Sequence, residues 1–447
     1  MKNKVGLIVF LGLFLVFSNI VFAEDIDMED PFSEENLFSE DMFISQDDVI
    51  SDDVGEELNK TGLGISGELQ TVVSYNKVDL EKSWLLNLDQ TDSDYYTGDL
   101  VLDLLFDARF KNRIRALLNL DLYYNYNDYD ENSNTDYFVK EVFVDIPYQE
   151  KIYIRAGKQT LKWGKSYFWN PTDLVNVERK DISDINKSRE GTEGIKIHIP
   201  YGAERNLYFF INTNGIDSVD RISQDIALSA KYAFLYGNSE MSFSLWTKKD
   251  FQSVYGFDIS TGLNDIDIRG EVSLSKGDNN FIMDYDTFEV YQEKDKIVSR
   301  ASAGFSTFFD HGDISDRISL SGEFYYNSNG YGENIYKKID EISDPLTRQT
   351  VKYTYLGEVY QANRNSKYYA AFFTQYKEFL DPDLTLNFNG LVNLMDFSKT
   401  LSLGMNYQPR SNLFFDLNYT KFLGDKNTEA VFLGNDYSLS FATNYRF

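Results

Sequence analysis

From residue 62 to the last residue, apolar and polar positions alternate in one extended segment after another. In the clearest segment Leu100, Leu102, Leu104, Phe106, Ala108 and Phe110 share one face, while Asp103, Asp107 and Arg109 share the other. The next repeats it, with Ile114, Ala116, Leu118, Leu120 and Leu122 set against Arg113, Arg115, Asn119 and Asp121. A period of two marks a strand with one apolar face. A soluble sandwich also alternates, because it too buries one face. Accumulation separates the two: about eighteen segments of roughly 9–14 residues, many ending in Tyr or Phe, suit tilted membrane strands with aromatic girdles.

The segments lie near 62–75, 98–110, 112–126, 137–147, 151–162, 190–200, 205–213, 223–236 and 239–249. They continue at 252–262, 265–275, 297–310, 315–328, 366–378, 382–395, 398–409, 411–422 and 435–447. Short connections (111–112, 147–150, 201–204, 237–238, 264, 310–314, 379–381, 409–410) alternate with a second set. That set is mostly long (76–97, 127–136, 163–189, 214–222, 276–296, 329–365, 423–434), with 249–251 and 396–397 as its short members. Short inner turns and longer outer loops, with both termini on the inner side, are the topology of a bacterial membrane barrel. The expected fold is all-β, a transmembrane antiparallel up-and-down β-barrel of about 16–18 strands, of the Gram-negative outer-membrane type. Residues 281–293 and 350–361 are candidate hairpins extending above the membrane.

Composition narrows the class. The net charge is −28, yet Tyr and Phe number 32 and 35, too many aromatics for a disordered acidic chain. Lys2 and Lys4 precede an apolar run over 5–17, and the stretch ends in Val21-Phe22-Ala23. This reads as a secretory signal cleaved after Ala23, the alternative being a retained anchor. Residues 24–60 follow as an acidic leader, expected to be disordered; its 24–58 stretch holds fifteen Asp or Glu and no Lys or Arg. It is read as a solvated periplasmic segment, or as a docking segment for a basic partner or divalent cations; its partner is unknown. The absence of Cys excludes a lipoprotein, c-type haem, a Cys-zinc site and disulfides. No later stretch is long and apolar enough for a membrane helix, so any crossing falls to strands.

One stretch breaks the alternation. Ile152, Ile154 and Ala156 alternate with Tyr153, Arg155 and Gly157, then the pattern fails at Lys158, Gln159 and Thr160. Gly157 marks either a bulge or the strand's departure from its apolar surroundings. Lys151, Arg155, Lys158, Lys162, Lys165, Arg179, Lys180, Lys187 and Arg189 are set against Asp173, Glu178, Asp181 and Asp184, a basic island in an acidic protein. Gly157-Lys158-Gln159, Trp163-Gly164 and Trp169-Asn170-Pro171-Thr172-Asp173 resemble the G-[RK]-Q…W-G…W-N-P-x-D signature of a group of porin-like outer-membrane barrels. That group is distantly similar to alginate-export channels. A basic, aromatic loop over 163–189, hanging from one strand of a barrel covering 61–447, itself suggests a constriction folded into the pore. The four residues Asn170 to Asp173 read as a turn that shapes the loop.

The polar faces define the expected lumen. Arg109, Arg113, Arg115, Arg155, Lys158, Lys162, Lys165, Lys196, Arg269 and Arg300 are the candidate pore-lining cations. Arg109, Arg113, Arg115 and Arg155, with the Lys-rich part of 158–189, are expected to line a basic ladder favouring anions; paired with Asp or Glu on neighbouring strands, the same cations select nothing. Trp163, Tyr167, Phe168 and Trp169 form either an aromatic slide for ring-bearing solutes or, as favoured here, an interfacial belt or simple loop packing. In the last segment Tyr437, Leu439, Phe441, Tyr445 and the terminal Phe447 share a face, and Tyr445 and Phe447 resemble an outer-membrane assembly signal. His198 reads as a polar lining residue, and no nucleophile, phosphate loop, metal or dinucleotide motif accompanies it, so no catalytic residue, metal or cofactor is expected. Outer-membrane lipid, the barrel-assembly machinery and further copies of the chain are the expected partners; nucleic acid is excluded by the charge. The expected activity is passive diffusion of small hydrophilic solutes, weakly anion-preferring. A non-conducting adhesin or scaffold is the alternative.

Overall fold

The computed structural model describes residues 61–84, 94–127, 132–149, 151–161, 163–175, 191–214 and 226–447. The signal segment 1–23, the leader 24–60, Lys162 and residues 176–189 of the inserted loop lie outside the described residues. The first strands are β1 (Gly62–Val78), β2 (Tyr95–Arg109), β3 (Arg115–Asn127), β4 (Asn132–Tyr148), β5 (Ile152–Gln159), β6 (Thr192–Tyr201) and β7 (Arg205–Asn212). Next come β8 (Ala227–Tyr236), β9 (Ser239–Lys248), β10 (Val254–Leu263), β11 (Ile266–Lys276) and a small hairpin, β12 (Phe281–Met283) with β13 (Val290–Gln292). The chain ends with β14 (Ile297–His311), β15 (Ile314–Asn327), β16 (Tyr368–Tyr376), β17 (Leu384–Asn393), β18 (Lys399–Arg410), β19 (Leu413–Leu423) and β20 (Asn435–Arg446).

Apart from the β12–β13 hairpin, the strands form one antiparallel sheet of eighteen, each pairing with its neighbour in chain order, and β20 pairs with β1 to close it. Every segment expected from the alternation is one of these strands. The closing seam runs to the last residue, where Gly67 and Phe447 exchange two backbone hydrogen bonds of 2.8 and 2.9 Å. The Phe447 ring lies over Gly67, where a Cβ would meet it at 2.6 Å.

The wall is inside-out relative to a soluble protein. Ile65, Phe243, Tyr255, Leu403, Leu439 and Phe441 are exposed on the outside, while Asp145, Lys231, Asp258, Glu271 and Glu323 are buried on the inside. An exposed apolar exterior with a polar interior requires lipid around the ring, and closure leaves no unpaired edge in it. An eighteen-stranded ring is wide enough to hold an aqueous channel unless something fills it.

The long connections gather at one end, the outer end by the usual topology of such barrels. Trp84, Met283, Tyr331, Ile335, Tyr336, Ile339, Tyr355, Val359 and Phe432 make a hydrophobic core there, drawn from four different connections. Part of it is helical: α1 (Ile335–Asp340) and α2 (Pro345–Thr354), followed by a π-turn over Tyr355–Val359. Residues 350–359 are therefore helical, in place of the hairpin expected over 350–361. Asp344 caps α2 by accepting from the Thr347 amide, Pro345 opens it, and Lys352, Tyr355 and Val359 are buried at helical spacing. The hairpin expected at 281–293 is present as β12 and β13.

Two details of β4 and β5 differ from the expected pattern. Gly157 is not a bulge: it stays in register opposite Phe143 and Gly194. The bulge lies across the β3–β4 ladder, where Asn119 faces Glu141 and Leu120 faces Val139, leaving Lys140 as the extra residue. The fifth strand also stops at Gln159, short of the expected 162.

Candidate functional site

The chain leaves β5 and turns inward. Gly157 has φ +132°, and a Cβ there would lie 2.1 Å from the Val142 carbonyl oxygen, so only glycine fits. Two residues on, the buried Gln159 amide donates to the carbonyls of Gly157 and Gly194, both at 3.3 Å, tying the end of β5 to β6. Leu161, Trp163 and Val175 then pack on Phe210 of β7. The Gly-Lys-Gln stretch thus ends a strand and launches a loop.

Two carboxylates on far strands hold that loop. Glu271 of β11 accepts from the amides of Lys165, Ser166 (2.6 Å) and Thr172 (3.1 Å), and from the Thr172 hydroxyl at 2.8 Å. Gly164, at φ +93°, passes so close that a Cβ would sit 2.7 Å from Glu271 Oε1. Glu323 of β15 accepts from the amides of Tyr167, Phe168 and Trp169 at 2.8, 3.0 and 2.5 Å. Going round the ring from β5, β11 is six places away and β15 eight, close to diametrically opposite. Six residues beyond Gln159 reach at most about 20 Å, and within that reach the chain passes from β5 to a carboxylate on β11. Backbone amides bonded to buried carboxylates are charge-assisted contacts, stronger than neutral ones.

The aromatic residues of the loop are anchors. Trp169 is fully buried, stacked on Tyr325 at 5.5 Å and tilted against Tyr369 at 6.0 Å, and Phe168 joins the same cluster with Phe373. Tyr167 meets Phe373 edge-on at 4.7 Å. This is the loop-packing role, and with Trp163, Phe168 and Trp169 buried these three offer no aromatic slide. Asn170 turns its amide to the Ser166 carbonyl at 2.7 Å, Pro171 is buried, and the Asp173 amide donates to the Asn170 carbonyl at 3.1 Å, closing the expected turn.

The expected cations do not form one ladder. Arg155 is held doubly by Asp145 (2.6 and 2.9 Å), Arg115 by Asp107 (2.8 Å), Arg300 by Asp278 (2.6 Å) and Lys165 by Glu240 (2.5 Å). Arg109 is exposed at the short-turn end beside Asp107, and Arg113 is exposed in the adjoining turn Lys111–Arg113. Lys196 faces inward opposite Arg155, its ammonium 5.5 Å from the Tyr208 ring. Arg269 donates to the Ser306 hydroxyl at 2.6 Å. Lys158 takes an outward register position opposite Val142, with its ammonium 4.6 Å over the Phe138 ring. His198 is buried and stacked on Tyr208 at 4.4 Å, with Nε2 2.9 Å from Asn206 Oδ1, as a lining residue would be.

Three features escaped the sequence reading. Lys140 reaches Asp103 (2.5 Å) and Asp121 (3.0 Å) across the lumen wall. Glu271 and Glu323 are loop anchors, a role that alternation alone does not distinguish from any other inward carboxylate. In the β19–β20 connection, Glu429 is buried and accepts from Tyr369 (2.8 Å), Asn393 (2.8 Å) and the Asn363 amide (2.9 Å). The Asn363 carbonyl in turn takes the Trp169 indole N–H at 2.9 Å, so the outer loops and the inserted loop share one hydrogen-bond chain. Burial pushes the Glu429 carboxyl up to about 7, and the nearby Asp396 carboxylate adds to the shift.

No known sequence family and no curated protein matches the chain. Its fold does have counterparts among crystal structures. OccAB3 of Acinetobacter baumannii aligns with a TM-score of 0.50 at 11% identity, covering 86% of this chain and 99% of that one. OccK5 (OpdH) of Pseudomonas aeruginosa aligns with a TM-score of 0.50 at 10% identity, covering 86% and 98%. At such identities the likeness is one of fold: this chain is a closed eighteen-stranded β-barrel of the outer-membrane porin type.

Proposed function

We propose that the chain is an outer-membrane channel for passive diffusion of small hydrophilic solutes, with no catalytic role. The inserted loop sets its narrowest point. The observation that carries this reading is the pair Glu271 and Glu323, which fix six loop amides across a polar lumen enclosed by an apolar exterior. A polypeptide strut held this firmly narrows a wide barrel to a size-selective opening. Ion selectivity in this reading is weak and leans to anions. Arg115, Arg155 and Arg300 are matched by carboxylates, whereas Arg269 bonds a hydroxyl. We read the Gly-Lys-Gln to Trp-Asn-Pro stretch as kinship with the porin-like group that carries this signature. Lipid, the assembly machinery and further copies of the chain complete the proposed setting.

Planar-bilayer recording tests the reading. Stepwise currents in KCl are expected, with a reversal potential slightly on the anion side, and a larger conductance once residues 163–189 are replaced by a short linker. Folded protein that inserts and passes no current would leave the scaffold role as the better account.

A further inference from the structure

The inserted loop divides the lumen unequally. On its β6–β10 side the space is filled: Trp163 and Val175 pack on Phe210, Lys165 bonds Glu240, and the Thr172 side chain sits where a Gly256 Cβ would meet it at 3.1 Å. The inward side chains of that wall, Ser229, Lys231, Ser242, Ser244 and Asp258, are accordingly buried. Among the described residues the loop's contacts fall on β6, β7, β9 to β11 and β14 to β16, and the inward Asn387, Asn418, Ser440 and Ser74 keep partial exposure, which places the water path along β17 to β20 and β1.

What lines that side follows from the register. Outward positions are fixed by the exposed Phe388, Leu403, Leu417, Tyr419, Leu439 and Phe441, so the intervening residues face inward. One inward row then runs Gln375, Asn387, Gly404, Asn418, Ser440, Ser74 and Thr97 across seven consecutive strands. The adjacent row runs Asn389, Ser402, Thr420, Ser438 and Asn76. Between β17 and β1 neither row holds a charge or an aromatic ring; Phe373 and Tyr95 bound the second row at β16 and β2. Of the flanking charges, Arg446 is matched by Glu68 at 2.8 Å and Lys140 by Asp103 and Asp121, while the carboxylates of Asp416 and Asp99 are held by amides, Asn406 and Asn444 at 2.6 and 2.9 Å and Asn125 at 2.8 Å.

We infer that this uncharged amide–hydroxyl tract is the channel's selectivity surface, and that its solutes are neutral polyhydroxylated molecules such as monosaccharides and polyols. Every amide and hydroxyl in the tract both donates and accepts, as every sugar hydroxyl does. A polyol moving along it exchanges water contacts for equivalent ones at each step. An ion of the same size sheds hydration and meets no opposite charge within the two rows.

The inference rests on the channel reading above, and one experiment separates the two. Proteoliposomes holding the full barrel are assayed for uptake of labelled sorbitol, gluconate and glucosamine, which are similar in size and differ in charge. Sorbitol is expected to enter at least about threefold faster than either charged solute. Replacing Asn387 and Asn389 by Leu is expected to slow sorbitol by a similar factor while leaving KCl conductance within about twofold. Gluconate or glucosamine entering as fast as sorbitol overturns the inference and leaves the channel standing. So does an equal slowing of all three solutes by the leucine pair, the mark of a steric effect. Absence of both uptake and current removes the channel and the inference together.

Discussion

Lys140 reaches the lumen through a single extra residue in β4. The bulge at that point re-aims its side chain between Asp103 and Asp121, which face each other across β2 and β3. One oxygen of each carboxylate has no hydrogen-bond partner, so both aspartates depend on this one ammonium. Lys140→Met is expected to destabilise the barrel by about 2–4 kcal/mol, the cost of leaving like charges unmatched in a poorly hydrated wall. The same change is expected to move the reversal potential toward cations, and adding Asp103→Asn is expected to restore both readouts in large part. Equal effects of the single and double variants in urea titration and bilayer recording would argue that the triad is not a unit. The bulge was legible after a fashion: Tyr137 and Val139 are outward on odd positions, and Val142, Val144 and Ile146 on even ones. The phase slips between them, and only a residue inserted into the strand can shift it. Pairing was harder to read, because alternation tells which face a charge takes and not which neighbour it meets.

The inserted loop is the element on which the rest of the lumen depends. Its launch was visible, since alternation fails at Lys158–Thr160 and tryptophans follow. Its anchors were not, because Glu271 and Glu323 stand more than a hundred residues further along and resemble any other lumen carboxylates. Only strand order and register bring them opposite the loop. Glu323→Ala leaves the amides of Tyr167, Phe168 and Trp169 without their acceptor, each a loss of about 1–3 kcal/mol if no water replaces it. The loop is then expected to detach at its far end, raising mean single-channel conductance and adding open-channel noise. Glu323→Gln, which keeps an acceptor oxygen, is expected to lie between the variant and the native protein. A Glu323→Ala channel with native conductance and quiet openings would show that the aromatic cluster and the Trp169–Asn363 bond hold the far end of the loop without Glu323. The α2 segment teaches the complementary lesson. Val351, Tyr353 and Tyr355 alternate as a strand would, but the Asp344 cap and Pro345 commit the backbone to a helix first.

At the scale of the whole molecule, closure and the outer loops matter most. Phe447 supplies the last two hydrogen bonds of the seam and the ring that covers Gly67. Deleting it is expected to lower the yield of folded, heat-modifiable barrel in membranes several-fold while sparing conductance in the channels that do form. Membranes carrying as much folded barrel as the full-length protein would remove Phe447 from assembly. The outer end has its own control point. The Glu429 carboxyl titrates near 7 against 4.5 in an unfolded chain, burial being the main cause, with Asp396, itself raised by burial, beside it and the Tyr369 hydroxyl donating to it. A raised acid binds its proton more tightly when folded, so its stabilising contribution is complete below about pH 4.5 and lost as pH rises through about 7. The shift corresponds to a few kcal/mol at most, on the order of 3. Because Glu429 joins Asn363, Tyr369 and Asn393, that loss is expected to loosen the 361–366 and 424–434 connections together. Hydrogen exchange at pH 8, corrected for intrinsic rates, is then faster in both segments than at pH 5. Glu429→Gln is expected to give pH 5-like protection at both values, since a neutral amide keeps the acceptor without the charge. Native loops equally protected at pH 5 and pH 8 would mean that the carboxylate is ionised throughout and the three donors fully compensate its burial.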